Sequence, residues 1–195
     1  MLLASARQVL AHGGLRASID EIALGAGYTK GAFYANFASK DDLLLAMLDE
    51  RFGERVAQIA RLSSDDGELD EQVRAAGNDF SRYLAADPDW QRLFFELAVH
   101  AARDEPFRVR MAARCRELCR GLAAVIDRRV RRLDLEPPVP VERLALMLFT
   151  IANGFALQRL LEPDGADEEL FEQLLGIFFA GLRAVGAEHE GSATA

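Results

Sequence analysis

Apolar residues recur at helical spacing along almost the whole chain, and no run alternates apolar and polar positions like a half-buried strand. The pattern predicts an all-α protein of about nine helical segments, divided by glycine, proline and capping residues. The first segment runs from the start to about His12, with Leu2, Leu3, Ala6, Val9 and Leu10 apolar, and stops at Gly13-Gly14. Ser18 opens the second, and Glu21 three residues later completes a capping-box pattern. Ile19, Ile22, Ala23 and Ala26 share one face of it before Gly27 breaks the run. A short third segment covers about Thr29 to Asn36, anchored by Phe33 and Phe37. Ser39 caps the fourth, with Asp41 and Asp42 in its first turn where the helix dipole favours anions, and it runs to about Leu62.

Beyond a polar break at Ser63 to Gly67, a fifth helix is expected over about Glu68 to Ala86. The sixth opens at Asp87-Pro88, an Asp cap followed by Pro in the first turn. The seventh restarts at Asp104-Glu105-Pro106 and runs to about Leu133. A proline cluster, Pro137, Pro138 and Pro140, links it to an eighth over about Val141 to Leu161, and Pro163-Asp164-Gly165 turns the chain into a ninth over about Asp167 to Val185. The tail from Gly186 to Ala195 is small and polar, and disorder is expected there.

Ser18 to Lys40 stands out as a unit. Two short helices meet at Gly27, a residue type suited to a tight turn, and the second is too short to persist alone. Phe33 and Phe37 supply its docking face. The opposite face carries Thr29, Lys30, Gly31, Ala32, Ala35 and Asn36, which are small or hydrogen-bonding. A helix that enters a major groove needs such a face, because small side chains admit the backbone and polar ones read base edges.

Charge sharpens this. The chain carries a formal charge of −8 and a pI near 5.0, which argues against a protein that coats nucleic acid non-specifically. Yet Ile22 to Lys40 holds two lysines and no acid. The arginines at Arg128, Arg129, Arg131 and Arg132 sit at the predicted end of the seventh helix, where they read as a solvated face that suits the dipole.

Other chemistry is sparse. There is no phosphate loop or nucleophile elbow, so no catalytic residue is assigned and no enzyme is expected. Cys115 and Cys119, four apart on one helix, read as free thiols. With only His12, His100 and His189 beside them, no metal site and no cofactor are expected. No segment approaches the roughly 18 uninterrupted apolar residues of a membrane span, and the opening residues do not read as a signal peptide. The expectation is a cytoplasmic protein with no membrane partner.

The stretch from about Val9 to Leu45 resembles the DNA-binding domain of the tetracycline-repressor (TetR) family. The resemblance rests on A-x-x-A-G-Y-T-K-G-A-F-Y-x-x-F-x-S-K-D-D-L, beginning at Ala23. It implies a three-helix helix-turn-helix domain over residues 1–45 and a helical ligand-binding and dimerisation domain over residues 46–195. It also implies a transcriptional regulator, most simply a homodimeric repressor released from a palindromic operator by a small molecule. Carried over position by position, the DNA contacts are Ser18, Tyr28, Thr29, Lys30, Gly31, Ala32, Tyr34, Asn36 and Lys40. Tyr34 and Lys40 match phosphate-contacting positions. Members of that family usually carry a basic segment ahead of the first helix. This chain offers only Arg7 and Arg16 there, so DNA binding weaker than is typical is expected.

The body is rich in aromatic and apolar side chains with few polar ones, which suits a hydrophobic or aromatic effector. Candidate ligand contacts are Phe80, Tyr83, Phe94, His100, Met111, Cys115 and Asn153. Asn153, inside an apolar run, fits a helix–helix contact as well as a ligand contact. A homodimer through the last two helices is expected. The candidate faces are Leu144, Leu148, Ala152, Phe155 and Ala156 on one, and Leu170, Leu174, Leu175, Phe178 and Leu182 on the other. Such stripes fit packing within the chain equally well.

Overall fold

Eight α-helices and one 3-10 turn (Gly14–Arg16) make up the described residues, and no strand occurs among them. The helices are α1 (Ile19–Gly25), α2 (Lys30–Tyr34), α3 (Lys40–Leu62), α4 (Leu69–Ala86), α5 (Pro88–Ala101), α6 (Glu105–Arg132), α7 (Val141–Leu161) and α8 (Glu168–Ala193). The structure is a computed structural model and describes residues 6, 10, 13–62, 69–132, 136–163 and 165–193. Most of the first expected segment lies outside these residues. Ala6, Leu10 and Gly13 are helical within it, and Ala6 and Leu10 are buried. The helix read second from the sequence is therefore α1.

Local capping chemistry sets most boundaries. Asp87 accepts from Trp90 N at 3.0 Å, Asp104 from Phe107 N at 2.8 Å, and Asp167 from Leu170 N at 2.9 Å. Each satisfies a donor that the first turn of a helix leaves open. The end of α8 differs from expectation. The tail from Gly186 was expected to be disordered, but the helix continues to Ala193. The segment contains no proline, and its Ala and Glu residues favour the helix enough to carry it through Gly186 and Gly191.

The chain packs as two units. The first comprises Met1–Glu54 with Asp87–Arg116. Its core includes Leu10, Ile22, Phe33, Leu43, Leu44, Leu48, Leu97 and Phe107, all at most 1 % exposed. Charged side chains tie α3 to α5 and α6 within this unit. Asp42 pairs with Arg110, Asp49 with Arg114 at 3.2 Å, and Asp41 lies 3.7 Å from His100 Nε2. The Arg110 guanidinium and the Ser39 hydroxyl hold the Asp42 carboxyl below the usual carboxylate range.

The second unit comprises Arg55–Ala86 with Glu117–Ala195. Phe80 of α4 packs on Phe171 of α8, centroids 4.4 Å apart, and Phe155 of α7 joins them. Gly77 lets α4 and α8 approach closely, because a Cβ there would lie 3.0 Å from the Glu172 backbone. A buried Asp79 accepts from Arg55 at 2.5 Å and from Gln58 at 2.6 Å.

The apolar pattern of α7 misplaced its faces. Leu144, Phe155 and Ala156, expected on a dimer face, are buried inside this unit, as is Leu175 of α8. The exposed apolar residues of α7 are instead Leu146, Met147, Leu157 and Leu161, while on α8 Leu174, expected on that face, is exposed together with Ile177. A helix apolar around its whole circumference satisfies the same spacing on two sides, so spacing alone does not choose between them. By length and composition α7 could cross a bilayer, and 22 % of its most apolar stretch is buried inside the chain.

Candidate nucleic-acid interface

The reading head is built from two capped helices and a tight turn between them. Ser18 forms a complete capping box with Glu21. Its hydroxyl accepts from Glu21 N at 3.2 Å, and the Glu21 carboxylate accepts from Ser18 N at 2.6 Å and from Ser18 Oγ at 2.8 Å. These bonds to Ser18 hold the Glu21 carboxyl below its ordinary range. The turn after α1 closes through two backbone bonds, Gly27 N to Leu24 O at 2.9 Å and Tyr28 N to Ala23 O at 2.8 Å. This pairing is a Schellman motif, and it places Gly27 at φ +72°.

That φ is strained for any residue with a Cβ. A Cβ at Gly27 would meet nothing within 4 Å, so strain would be the whole cost of adding one. Gly27→Ala is expected to destabilise the first unit by about 1–2 kcal/mol, and Gly27→Asn by less, since Asn tolerates the left-handed region. Thermal melts followed by the fluorescence of Trp90, which is buried in the same unit, check both.

Thr29 caps α2 by accepting from Ala32 N at 3.1 Å. Phe33 is fully buried and lies between Tyr34 and Phe37, with ring centroids 5.4 Å and 5.8 Å away. It pins a helix of only five residues. The outer side then presents Thr29, Lys30, Gly31, Tyr34 and Asn36, all exposed, with Ala32 and Tyr28 half-buried beside them. Asn36 donates through Nδ2 to Ala32 O at 2.8 Å, which ties the amide to the helix backbone.

Both lysines of this region are engaged. Lys30 pairs with Asp20 at 2.9 Å, both well exposed, and that carboxylate raises the lysine pKa. The Lys40 ammonium is half-buried and donates to Leu15 O at 2.5 Å and Ala17 O at 2.6 Å. Burial lowers its pKa. With three N–H donors, one remains for another acceptor. So Lys40 stitches the turn before α1 to the start of α3, a role the motif alone does not reveal.

Two further partners escape sequence reading. Asp20 reads as an ordinary first-turn acid, yet it faces Lys30. Glu96, on α5, accepts from Leu15 N at 2.9 Å, a contact 81 residues apart in sequence. No local pattern signals it.

The candidate ligand residues divide between the units. Phe94, His100, Met111 and Cys115 belong to the first, and Phe80, Tyr83 and Asn153 to the second. In the first, Phe94 packs on Phe52 and Phe95, and His100 lies over Phe107 at 4.6 Å. In the second, Arg55 lies over the rings of Tyr83 at 4.6 Å and Phe80 at 5.4 Å. Asn153 donates to Phe149 O of its own helix at 2.8 Å. Among the described residues no group of His, Cys, Asp or Glu could hold a metal ion.

Residues 2–47 match the family model for bacterial regulatory proteins of the tetR family, and residues 69–184 match that for the C-terminal part of BetI-type transcriptional repressors. A probable HTH-type transcriptional regulator of Pseudomonas putida, ArpR, is 30 % identical over 84 % of this chain and 80 % of its own. The HTH-type transcriptional repressor AcnR of Corynebacterium glutamicum is 28 % identical over 93 % and 90 %. Among solved structures, Salmonella enterica GusR superposes with a TM-score of 0.75 at 20 % identity, covering 93 % of this chain and 92 % of that one. FadR from Bacillus subtilis, in complex with stearoyl-CoA, superposes with a TM-score of 0.72 at 17 % identity, covering 89 % and 95 %. The family models and the two relatives are of transcriptional regulators and not of enzymes. The chain belongs to the tetR family of bacterial regulatory proteins, and is a transcriptional regulator that binds DNA through its helix-turn-helix.

Proposed function

We propose that the chain is a cytoplasmic homodimeric repressor whose two α2 helices read a palindromic operator, and that a small hydrophobic or aromatic ligand releases it. The observation that carries this reading is the outer side of α2. Five small or hydrogen-bonding residues stand exposed there, over a phenylalanine that has no solvent contact. The proposed base and phosphate contacts are Tyr28, Thr29, Lys30, Gly31, Ala32, Tyr34 and Asn36, with Ser18 and the free N–H of Lys40 at the rim.

The second copy is supported by the exposed stripe of α7 and α8. Met147, Leu157 and Leu161 recur at helical spacing with Gly154 among them, and Leu174 and Ile177 continue the apolar surface on α8. A Cβ at Gly154 or Gly181 would meet nothing within 4 Å, which leaves room for a second chain's helix to come close. A ligand of apolar character suits the Phe80, Phe155 and Phe171 cluster of the second unit. The stearoyl chain of the stearoyl-CoA in the structurally similar FadR complex is of that kind.

Selection of bound duplexes from a random pool tests the reading. Recovery of an inverted repeat with half-sites about 34–36 Å apart is expected for a two-fold dimer. A single half-site, or no enrichment, would overturn it. A panel of aromatic and long-chain acyl compounds, added to the protein on its selected duplex, then tests release.

Asp20 bears on selectivity. A carboxylate bound to Lys30 competes with phosphate for that ammonium, most severely on duplexes where no base contact helps to displace it. Asp20→Asn is expected to tighten binding to random duplex by up to about fivefold, as for loss of an exposed ion pair, and to tighten the selected site less. Titrations of both duplexes at one salt concentration read the difference.

A further inference from the structure

We infer that Glu96 is a positioning residue for the reading head. From α5 its carboxylate fixes the Gly14–Arg16 turn, and thereby the point at which Ser18 starts α1. The functional half of this inference rests on the DNA-binding reading above; the structural half does not.

The turn has little of its own to hold it. It is three residues long, none of them buried, and its closing bond from Ala17 N to Gly14 O is 3.3 Å. Two side chains of opposite charge hold it from outside. Glu96 Oε2 accepts from Leu15 N at 2.9 Å, while the Lys40 ammonium donates to Leu15 O and Ala17 O. The donor of the turn meets an anion and its acceptors meet a cation, so each bond is of the stronger, charge-assisted kind. Ser18 follows after Ala17, and its capping box sets the first turn of α1.

Gly14 gives a second, independent sign of the contact. Its φ of +58° lies in the left-handed region. A Cβ there would also fall 2.8 Å from Glu96 Oε2 and 3.1 Å from Oε1. The carboxylate occupies the space that any other residue would need. Backbone geometry favours glycine here, and a Cβ would in addition push the carboxylate out of its place beside the turn. Glu96 is exposed, and α5 packs on this turn. Its carboxylate serves the turn and not the core.

The test compares Glu96→Ala, Glu96→Gln and Gly14→Ala with the parent protein. It follows hydrogen exchange at the Leu15 amide, affinity for the duplex selected from the random pool, and the thermal midpoint. Glu96→Ala is expected to speed Leu15 exchange and weaken duplex binding, each by about tenfold, the scale of one charge-assisted bond. Glu96→Gln keeps an acceptor oxygen and should restore most of both. Gly14→Ala should harm the parent more than it harms Glu96→Ala, because the clash disappears with the carboxylate. Unchanged Leu15 exchange in Glu96→Ala would overturn the clamp. A lowered midpoint with unchanged duplex affinity would overturn the positioning role, leaving Glu96 merely structural. If the parent bound no duplex at all, the functional reading would fall, while the exchange data would still decide the clamp.

Discussion

Phe33→Ala is expected to abolish duplex binding while the second unit stays folded. Phe33 has no solvent exposure and contacts the rings of Tyr34 and Phe37. Truncating a buried phenylalanine costs about 3–5 kcal/mol, through lost transfer energy and the cavity left behind. A whole domain is stable by only about 5–15 kcal/mol. The loss falls on α2, a helix of five residues that nucleates poorly and has few other anchors. The side chains proposed to read bases would then have no platform. Circular dichroism should show most of the helix retained, since α4, α7 and α8 do not use Phe33. Trp90 fluorescence should report a lowered midpoint for the first unit. Wild-type duplex affinity in this variant would mean that α2 is not the reading helix.

The other large effect belongs to Asp79. It is 6 % exposed, and both carboxylate oxygens are used, one by Arg55 and one by Gln58. The Arg55 side chain is itself only 11 % exposed and lies against the rings of Tyr83 and Phe80. Asp79→Leu would strand that guanidinium without a counter-charge, at a cost of about 3–5 kcal/mol. The pair as a whole is worth far less than this, because two desolvated charges offset most of their own attraction. Asp79→Leu combined with Arg55→Met should therefore recover most of the loss, or exceed the parent. Urea midpoints of the four proteins in this cycle give the answer. An Asp79→Leu variant as stable as the parent would mean that the ion pair is solvated and dispensable.

The two sites differ in how far they can be seen in sequence. Phe33 is legible because its evidence is local: an aromatic at helical spacing from Phe37, four residues past a capping Thr29. The caps at Ser18, Asp87 and Asp104 are legible for the same reason, since each side chain bonds a backbone group within three residues. Asp79, Glu96 and Arg110 show only their charge. Their partners stand 24, 81 and 68 residues away, and only folding brings them together. Lys40 is a mixed case. The motif marks it as a cation at the start of a helix, but two of its three N–H donors go to Leu15 O and Ala17 O before α1. On α7 the apolar content is plain and the facing is not, because both sides of that helix satisfy the same spacing.

The division into two units also sets an order of synthesis. Every segment of the first unit has been made once Arg116 is added. Residues 117–195 follow over about 4–16 s at typical translation rates of 5–20 residues per second. The reading head can thus close on α5 and α6 early. Helix α4 cannot close so soon. It is translated before Asp87, yet Gly77 and Phe80 rest on Glu172 and Phe171, which emerge near the end. For those seconds the face of α4 that carries Gly77 and Phe80 waits for its partner in α8, and a chaperone that shields the nascent chain would act there.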